Sequence, residues 1–415
     1  MANFSRIERW IAQILRNIPW LKTFLKKNYQ TINYFLFKEK ITHQTSLSLQ
    51  VYEYENCETF FGYYDKSPEN STGEFIIYHA SDYPTHRLPS PTLPIKIVLQ
   101  NIKKNTHHVF LSYAYNWQQG SKLQWIDTYY FVFNDFDAIE QRYVSKIVDA
   151  NNASIVKILP FPVYDVFKNT VLYLNFSRLN VWGVDYGYRN IIQRKFDDDN
   201  DGIFIGNINS ETSQLLYSIS LLKSIAPFPD NCKHTVNHII FSPAGDKFIF
   251  IHRYFHLGRR YDRLMLGFID GRTPISLSRY TMVSHYFWLD NNKIVAFLKD
   301  KAGDRYYILD TQLQKIEPYP LEMPNISVLG DGHPNVYNKK MIFDTYPNKS
   351  RMKLLYLFDM QDNELIFLGK FFEPLRYYGQ TRCDLHPRWN FLGNRIYIDS
   401  THTFRRQLYY LIYDK

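Results

Sequence analysis

One phrase recurs through the second half of this chain, and each copy opens on a histidine. His386 opens HPRWNFLGNRIYIDSTHTFRRQLYYLIYD, His333 opens HPNVYNKKMIFDTYPNKSRMKLLYLFD, His285 opens HYFWLDNNKIVAFLKDKAGDRYYILD, and His238 opens HIIFSPAGDKFIFIHRYFHLGRRYDRLMLGFIDG. The openings lie 47, 48 and 53 residues apart. That spacing matches the roughly 40 to 50 residues taken by one four-stranded propeller blade. Weaker copies begin at Tyr63 (YYDKSPENSTGEFIIYHAS), Asn116 (NWQQGSKLQWIDTYYFVFNDF) and Pro162 (PVYDVFKNTVLYLNFS). Seven copies predict an all-β, seven-bladed β-propeller.

The two ends of the repeat predict how the ring closes. The last copy holds only three strand-like segments, whereas SLSLQVYEYE from Ser46 alternates as a strand ahead of the first copy. Pairing that early strand into the last blade removes an edge that would otherwise stay unpaired. The expected organisation is a helical segment over 1–45 and a propeller over 46–415. With 45% apolar content in 415 residues, the chain can bury a large core within one ring.

Cys57, Cys232 and Cys383 are odd in number and far apart, in no metal-ligand spacing, so no disulfide framework is expected. The start, MANFSRIERWIAQILRNIPW, carries charge inside its apolar run, unlike a signal peptide. No run of about 18 apolar residues is present, which excludes a membrane-spanning helix. The cytoplasm is the expected compartment.

The net charge of +9 is unevenly spread. Residues 1–40 hold eight Lys or Arg against two Glu, a balance of +6 that leaves +3 for the rest. Phe4, Ile7, Ile11, Ile14 and Ile18 follow helical spacing. Pro19 breaks the pattern, and Trp20, Phe24, Leu25, Ile32 and Phe35 resume it. With Arg6, Arg9, Arg16, Lys22, Lys26 and Lys27 interleaved, this reads as an N-terminal amphipathic helical segment lying on an anionic membrane surface. The expected location is peripheral, on the cytoplasmic face of the inner membrane. Nucleic acid is not an expected partner, because the propeller is nearly balanced in charge and carries no base-reading motif.

Three segments exceed a minimal blade: 82–94 with four prolines, 178–202, and 253–263, read as a loop inserted between two strands. Residues 197–202 resemble half of a calcium-binding loop, but Ile208 stands where a bidentate Glu is needed, so a solvated turn is the better reading.

His238, His285, His333 and His386 occupy the same point of four consecutive blades, and circular symmetry predicts that they meet at one end of the central channel. Imidazoles converging near Gln380, Asp384 and Asp331 suit a divalent metal such as Mn or Zn, or acid–base work by His238 and His333. The alternative is a blade-corner histidine bonded to backbone. Arg189, Arg253, Arg259, Arg260, Arg263, Arg382 and Arg388 form a second set. Guanidinium groups bind carboxylates and phosphates bidentately, which points to an acidic or phosphate-linked saccharide, including a lipid-linked glycan. Arg189 and Arg253 are placed at the reaction centre and the rest at the ligand.

The segments SHYFW, GHPNV and CDLHPRWN resemble the oligogalacturonate lyase group of propellers and, more distantly, TolB-like propellers. FGYYDKSP (61–68), YGYR (186–189), the DDG-plus-strand segment (199–202) and the HR…R…DRL segment (252–264) together resemble a bacterial group encoded with capsule and O-antigen genes and often labelled glycosyltransferase. The lyase resemblance implies a metal held at His285, His386 and Gln380, with Asp384 where that family has a further histidine, and removal of a proton beside a uronate carboxylate. The second resemblance implies ligand contacts by Tyr64, Asp65, Lys66 and Tyr188, and a place in surface-polysaccharide synthesis. No βαβ pattern of the kind that carries nucleotide-sugar donors follows residue 45. A non-catalytic glycan-binding or scaffold propeller is the remaining alternative.

Overall fold

A computed structural model describes residues 19–193, 195–279, 281–301, 303–313, 318–323 and 330–414. The first of the two N-terminal helices read from the sequence lies outside the described residues. Helix α1 runs over Pro19–Phe37. The chain then forms seven antiparallel sheets in sequence order. Blade 1 spans 58–112, blade 2 124–159, blade 3 165–218, blade 4 233–276, blade 5 283–320, blade 6 335–372 and blade 7 388–412. It is a seven-bladed β-propeller.

Blade 7 takes its fourth strand from Leu49–Tyr52, paired antiparallel to Gln407–Ile412 with Leu49 opposite Leu411 and Tyr52 opposite Leu408. The helical segment ends earlier than the sequence suggested. His43–Thr45 already pairs with the outer strand of blade 6, so two blades are fastened by the N-terminal stretch.

Each sheet is covered on both faces by its neighbours, so an inner strand such as Phe75–Ser81 is buried along its whole length. The core is accordingly a set of clusters between blades. One joins Ile249, Ile251 and Leu266 of blade 4 to Tyr286, Ile294 and Leu298 of blade 5; another joins Ile342 and Leu357 of blade 6 to Trp389, Ile396 and Leu411 of blade 7.

Polar side chains tie the inner edges. At the second strand of four blades, one side chain accepts a backbone N–H from the opening of the next blade. His79 Nε2 takes Ser121 at 3.0 Å, Asn134 Oδ1 takes Val163 at 2.7 Å, and Asp344 Oδ2 takes His386 at 3.1 Å. Asp399 takes Phe61 and Gly62 at 3.0 and 2.9 Å, closing blade 7 onto blade 1. Gly120 makes the first contact possible, since a Cβ there would stand 2.1 Å from the His79 ring and its φ is +56°.

Two long segments differ from their sequence reading. Residues 253–263 are strand rather than inserted loop: Lys247–His256 and Arg259–Phe268 form one extended hairpin turning at Leu257 and Gly258, both at positive φ. The stretch from 178 begins inside a short helix, α2 (Phe176–Trp182), capped by Asn175, whose side chain accepts from the amides of Ser177 and Arg178.

Asp399 also pairs with fully buried Arg388 at 2.8 Å. Replacing Asp399 by Ala strands that guanidinium and two amides, and is expected to cost about 3–5 kcal/mol. Denaturant unfolding measures this, and a loss under about 1 kcal/mol would contradict the role of Asp399 in closure.

Candidate functional site

The first strands of blades 4 and 5 are irregular where their histidines stand. In blade 4 the register slips between Asn237 and Ile240, in blade 5 between Val283 and Tyr286. Such bulges re-aim side chains, and here they deliver His238 and His285. His333 and His386 precede the short first strands of blades 6 and 7. His238 and His386 hold φ of +55° and +45°, a left-handed conformation uncommon outside glycine.

The four imidazoles meet. Ring centroids lie 6.2 Å apart for His238–His285, 3.9 Å for His285–His333 and 4.3 Å for His333–His386. Tyr63 closes the circle, 5.1 Å from His386 and 5.0 Å from His238. Its hydroxyl is within 3.0 Å of the His238 ring nitrogens. Tyr64 packs against His285 and His333, and its hydroxyl donates to the Tyr286 carbonyl. The histidines are only 2–3% exposed. Above them Arg382 bonds Asp384 at 2.7 Å and Asp185 at 2.5 Å, and half-exposed Tyr346 stands over His333.

Ligand atoms of His333, Asp384 and His386 lie within 4.8 Å of one another. Nε2 of both histidines is buried without a hydrogen-bond partner among the described residues. The other nitrogen of His333, Nδ1, faces Asp344 Oδ1 at 2.8 Å, the support that orients a metal-binding imidazole. Asp344 also accepts the backbone N–H of His333 at 2.8 Å and that of His386. Two nitrogens and a carboxylate suit manganese or zinc, so the donor set fits a divalent ion.

Burial, with the charges of His285 and Arg253, pushes His238 well below the ordinary imidazole range. Burial and His333 do the same to His386, and His285 is lowered for the same reasons, against Asp331. His333 differs. Burial opposes its charge, yet Asp344, with Asp384 and Asp331 beyond, raises its pKa. Burial would raise Asp384, but Arg382, Lys353, His333 and His386 hold it far below the carboxylate range.

The remaining residues singled out in the sequence fall in different places. Gln380 does not join the triad but accepts from Arg189 Nη2 at 2.5 Å. His285 Nδ1 is 3.3 Å from Asp331. Arg253 is buried behind His238, bonded to Asp262 at 2.5 Å. Arg388 lies beneath the ring, donating to the His386 carbonyl and Asp399. Arg263 is inside blade 4, on His252 and the Leu222 carbonyl, and Arg259 is exposed at the hairpin tip. Tyr188 is a core residue, stacked 4.1 Å from Phe176 with its hydroxyl bonded to Asn134. Lys66 pairs with Asp165 at 2.6 Å and with Asp65 at 3.7 Å.

Tyr63, Asp344 and Lys122 escaped the sequence reading. For two of them a signal existed. Aligning YYDKSP with HIIFSP puts Tyr63 at the His238 position, and aligning KLQW with HYFW puts Lys122 at the His285 position. Lys122 has φ +54°, as His238 and His386 do.

No protein-family model and no curated protein matches this sequence. Among solved structures, an oligogalacturonate lyase in complex with manganese is similar over 91% of this chain and 98% of its own, at 13% identity and a TM-score of 0.57. An oligogalacturonate lyase from Vibrio parahaemolyticus aligns over 90% and 98%, at 9% identity and a TM-score of 0.40. TolB from Acinetobacter baumannii aligns over 72% and 64%, at 12% identity and a TM-score of 0.36. The likeness is one of fold: the chain is a propeller of oligogalacturonate-lyase-like architecture.

Asp344 gives a pH signature. His333 has a raised pKa, so its ion pair with Asp344 stabilises the fold fully below the unfolded value of 6.5 and fades as pH rises through the folded value. The destabilisation caused by Asp344→Asn is expected to be greater below pH 6.5 than above it, and to shrink at alkaline pH. Urea melts across pH measure it; a penalty that grows with pH would contradict the pairing.

Proposed function

We propose that this chain is a metal-dependent, glycan-active enzyme that removes the proton beside the carboxylate of an acidic sugar residue, as a polysaccharide lyase does. The observation that carries the reading is the convergence of the His333, His386 and Asp384 ligand atoms within 4.8 Å, with both Nε2 atoms buried and without a hydrogen-bond partner among the described residues. The manganese bound to the structurally similar oligogalacturonate lyase supports the choice of ion. When bound, a divalent ion supplies Lewis-acid polarisation of an oxygen ligand. Asp344 orients His333 through Nδ1. His238, held neutral by burial and bonded to the Tyr63 hydroxyl, takes the proton; the electron pair forms a carbon–carbon double bond, and the glycosidic oxygen leaves with the Tyr63 hydroxyl proton, which the His238 imidazolium then replaces. A setting in surface-polysaccharide assembly rests on the sequence motifs alone.

A non-catalytic glycan-binding propeller is the second reading, favoured by the 2–3% exposure of the histidines beneath the Arg382 bridge. Metal content separates the two. Purified protein is expected to hold about one manganese or zinc per chain, lost in His386→Ala and bound about 10- to 100-fold more weakly in Asp344→Asn. Oligouronides are expected to yield products with the ultraviolet absorbance of an unsaturated uronate. Metal-free protein that still binds glycan after His386→Ala would overturn the enzyme reading.

We also propose that α1 rests on an anionic membrane. Ile32, Phe35 and Leu36 are 59–71% exposed, while Tyr34 stacks on Phe372 and Glu39 pairs with Lys370 at 2.5 Å, docking the helix on blade 6. Lys27 lies over Tyr378, beside the Gln380–Arg382 cover of the site. Among the described residues no helix is long and apolar enough to cross a membrane. Co-sedimentation with vesicles containing phosphatidylserine is expected to fall at least about tenfold in Phe35→Glu/Leu36→Glu; unchanged binding would contradict the contact.

A further inference from the structure

Beside the histidine ring lies a small chamber of about 10 Å3 lined by Tyr63, Asp65, Lys66, Gln119, Lys122 and Gln124, among others. We infer that this chamber is a carboxylate site, in which Lys122 receives the acidic group of a sugar ligand. It deepens the reading of the ring as a reaction centre and rests on that reading for the ligand's identity.

The first argument is position. Lys122 stands at the place in blade 2 that the histidines hold in their blades, three residues before Trp125 as His285 is before Trp288. Its φ of +54° matches the +55° of His238. The backbone that aims imidazoles at the channel therefore aims an ammonium there too. His238 and Lys122 are close enough for the lysine's charge to depress the imidazole.

The second argument is a comparison of cations. Arg253, Arg382, Arg388 and Lys66 each have a carboxylate between 2.5 and 2.8 Å. For Lys122 the nearest among the described residues is Asp65 at 3.9 Å, beyond hydrogen-bond reach, and Asp65 is shared with Lys66. Its other neighbours are the Tyr164 ring at 4.1 Å and the Tyr63 ring at 5.9 Å. The Lys122 side chain is 3% exposed. A buried ammonium without a close counter-ion is costly, and an anionic ligand relieves that cost. Burial, against the attraction of Asp65 and with the repulsion of Lys66, holds the amine below the ordinary lysine value, while Asp165 pulls the other way.

The third argument is size. A volume of about 10 Å3 is room for roughly one water-sized group, so the chamber suits the tip of one polar group, such as a carboxylate oxygen displacing a water, rather than a whole sugar. Lys122 lies close to His238, so a carboxylate held by its ammonium would keep the adjacent carbon near that imidazole.

The test titrates full-length protein with galacturonate, galactose and inorganic phosphate by calorimetry. Wild type is expected to bind galacturonate at least about tenfold more tightly than galactose. Lys122→Met should erase that preference, and Lys122→Arg should restore part of it. Manganese content and thermal unfolding of each variant are measured alongside, so that loss of the metal site or of the fold is read separately. A preference that survives Lys122→Met in folded protein overturns the inference, as does equal affinity for galacturonate and galactose in wild type. Binding of phosphate without galacturonate overturns the carboxylate assignment.

Discussion

Each bond from a second-strand side chain to the next blade's opening amide fixes where that blade begins around the channel. Asp344 shows how much hangs on one such group. It anchors the backbone of His386 in the following blade, anchors the backbone of His333 in its own, and sets the charge of the His333 ring. Moving that carboxylate would shift two imidazoles at once. Asp399 plays the corresponding part where the last blade meets the first, and the Tyr63 segment that it holds completes the ring.

The ring is maintained against physical resistance. His238, His386 and Lys122 hold a left-handed backbone, and residues kept in sparsely populated conformations persist only where the surroundings over-determine them. Four imidazoles are removed from water, with two Nε2 atoms left without a hydrogen-bond partner among the described residues, as are Asp65 Oδ1, Gln119 Oε1 and Asn237 Nδ2 nearby. Concentrating strain and unsatisfied donors at the channel end is what a reactive or ligand-binding centre requires.

The seven blades were legible in the sequence because a repeat of 46 to 53 residues, stretched to 76 once by the segment 178–202, leaves few ways to bury its faces, and because LQVY offered a strand to complete the last blade. The meeting of His238, His285, His333 and His386 was legible for the same reason: equivalent positions of a closed ring must face one another. Tyr63 and Lys122 were hidden by side-chain identity, although their register was readable. The fate of the arginines could not be read, since Asp262, Asp399 and Asp185 reach Arg253, Arg388 and Arg382 only through strand pairing or across blades. Helix α2 and the long blade 4 hairpin were missed because short amphipathic runs look alike until tertiary packing decides between them.

The central claim is that repeat geometry brings the nitrogens of His333 and His386 and the carboxylate of Asp384 onto one divalent ion. Pulsed electron paramagnetic resonance of manganese-loaded protein tests it directly, because imidazole nitrogen couples to the metal's electron spin. The account predicts nitrogen couplings from two histidines in wild type and from one in His333→Ala. A spectrum without imidazole nitrogen, or one unchanged by that substitution, would contradict it.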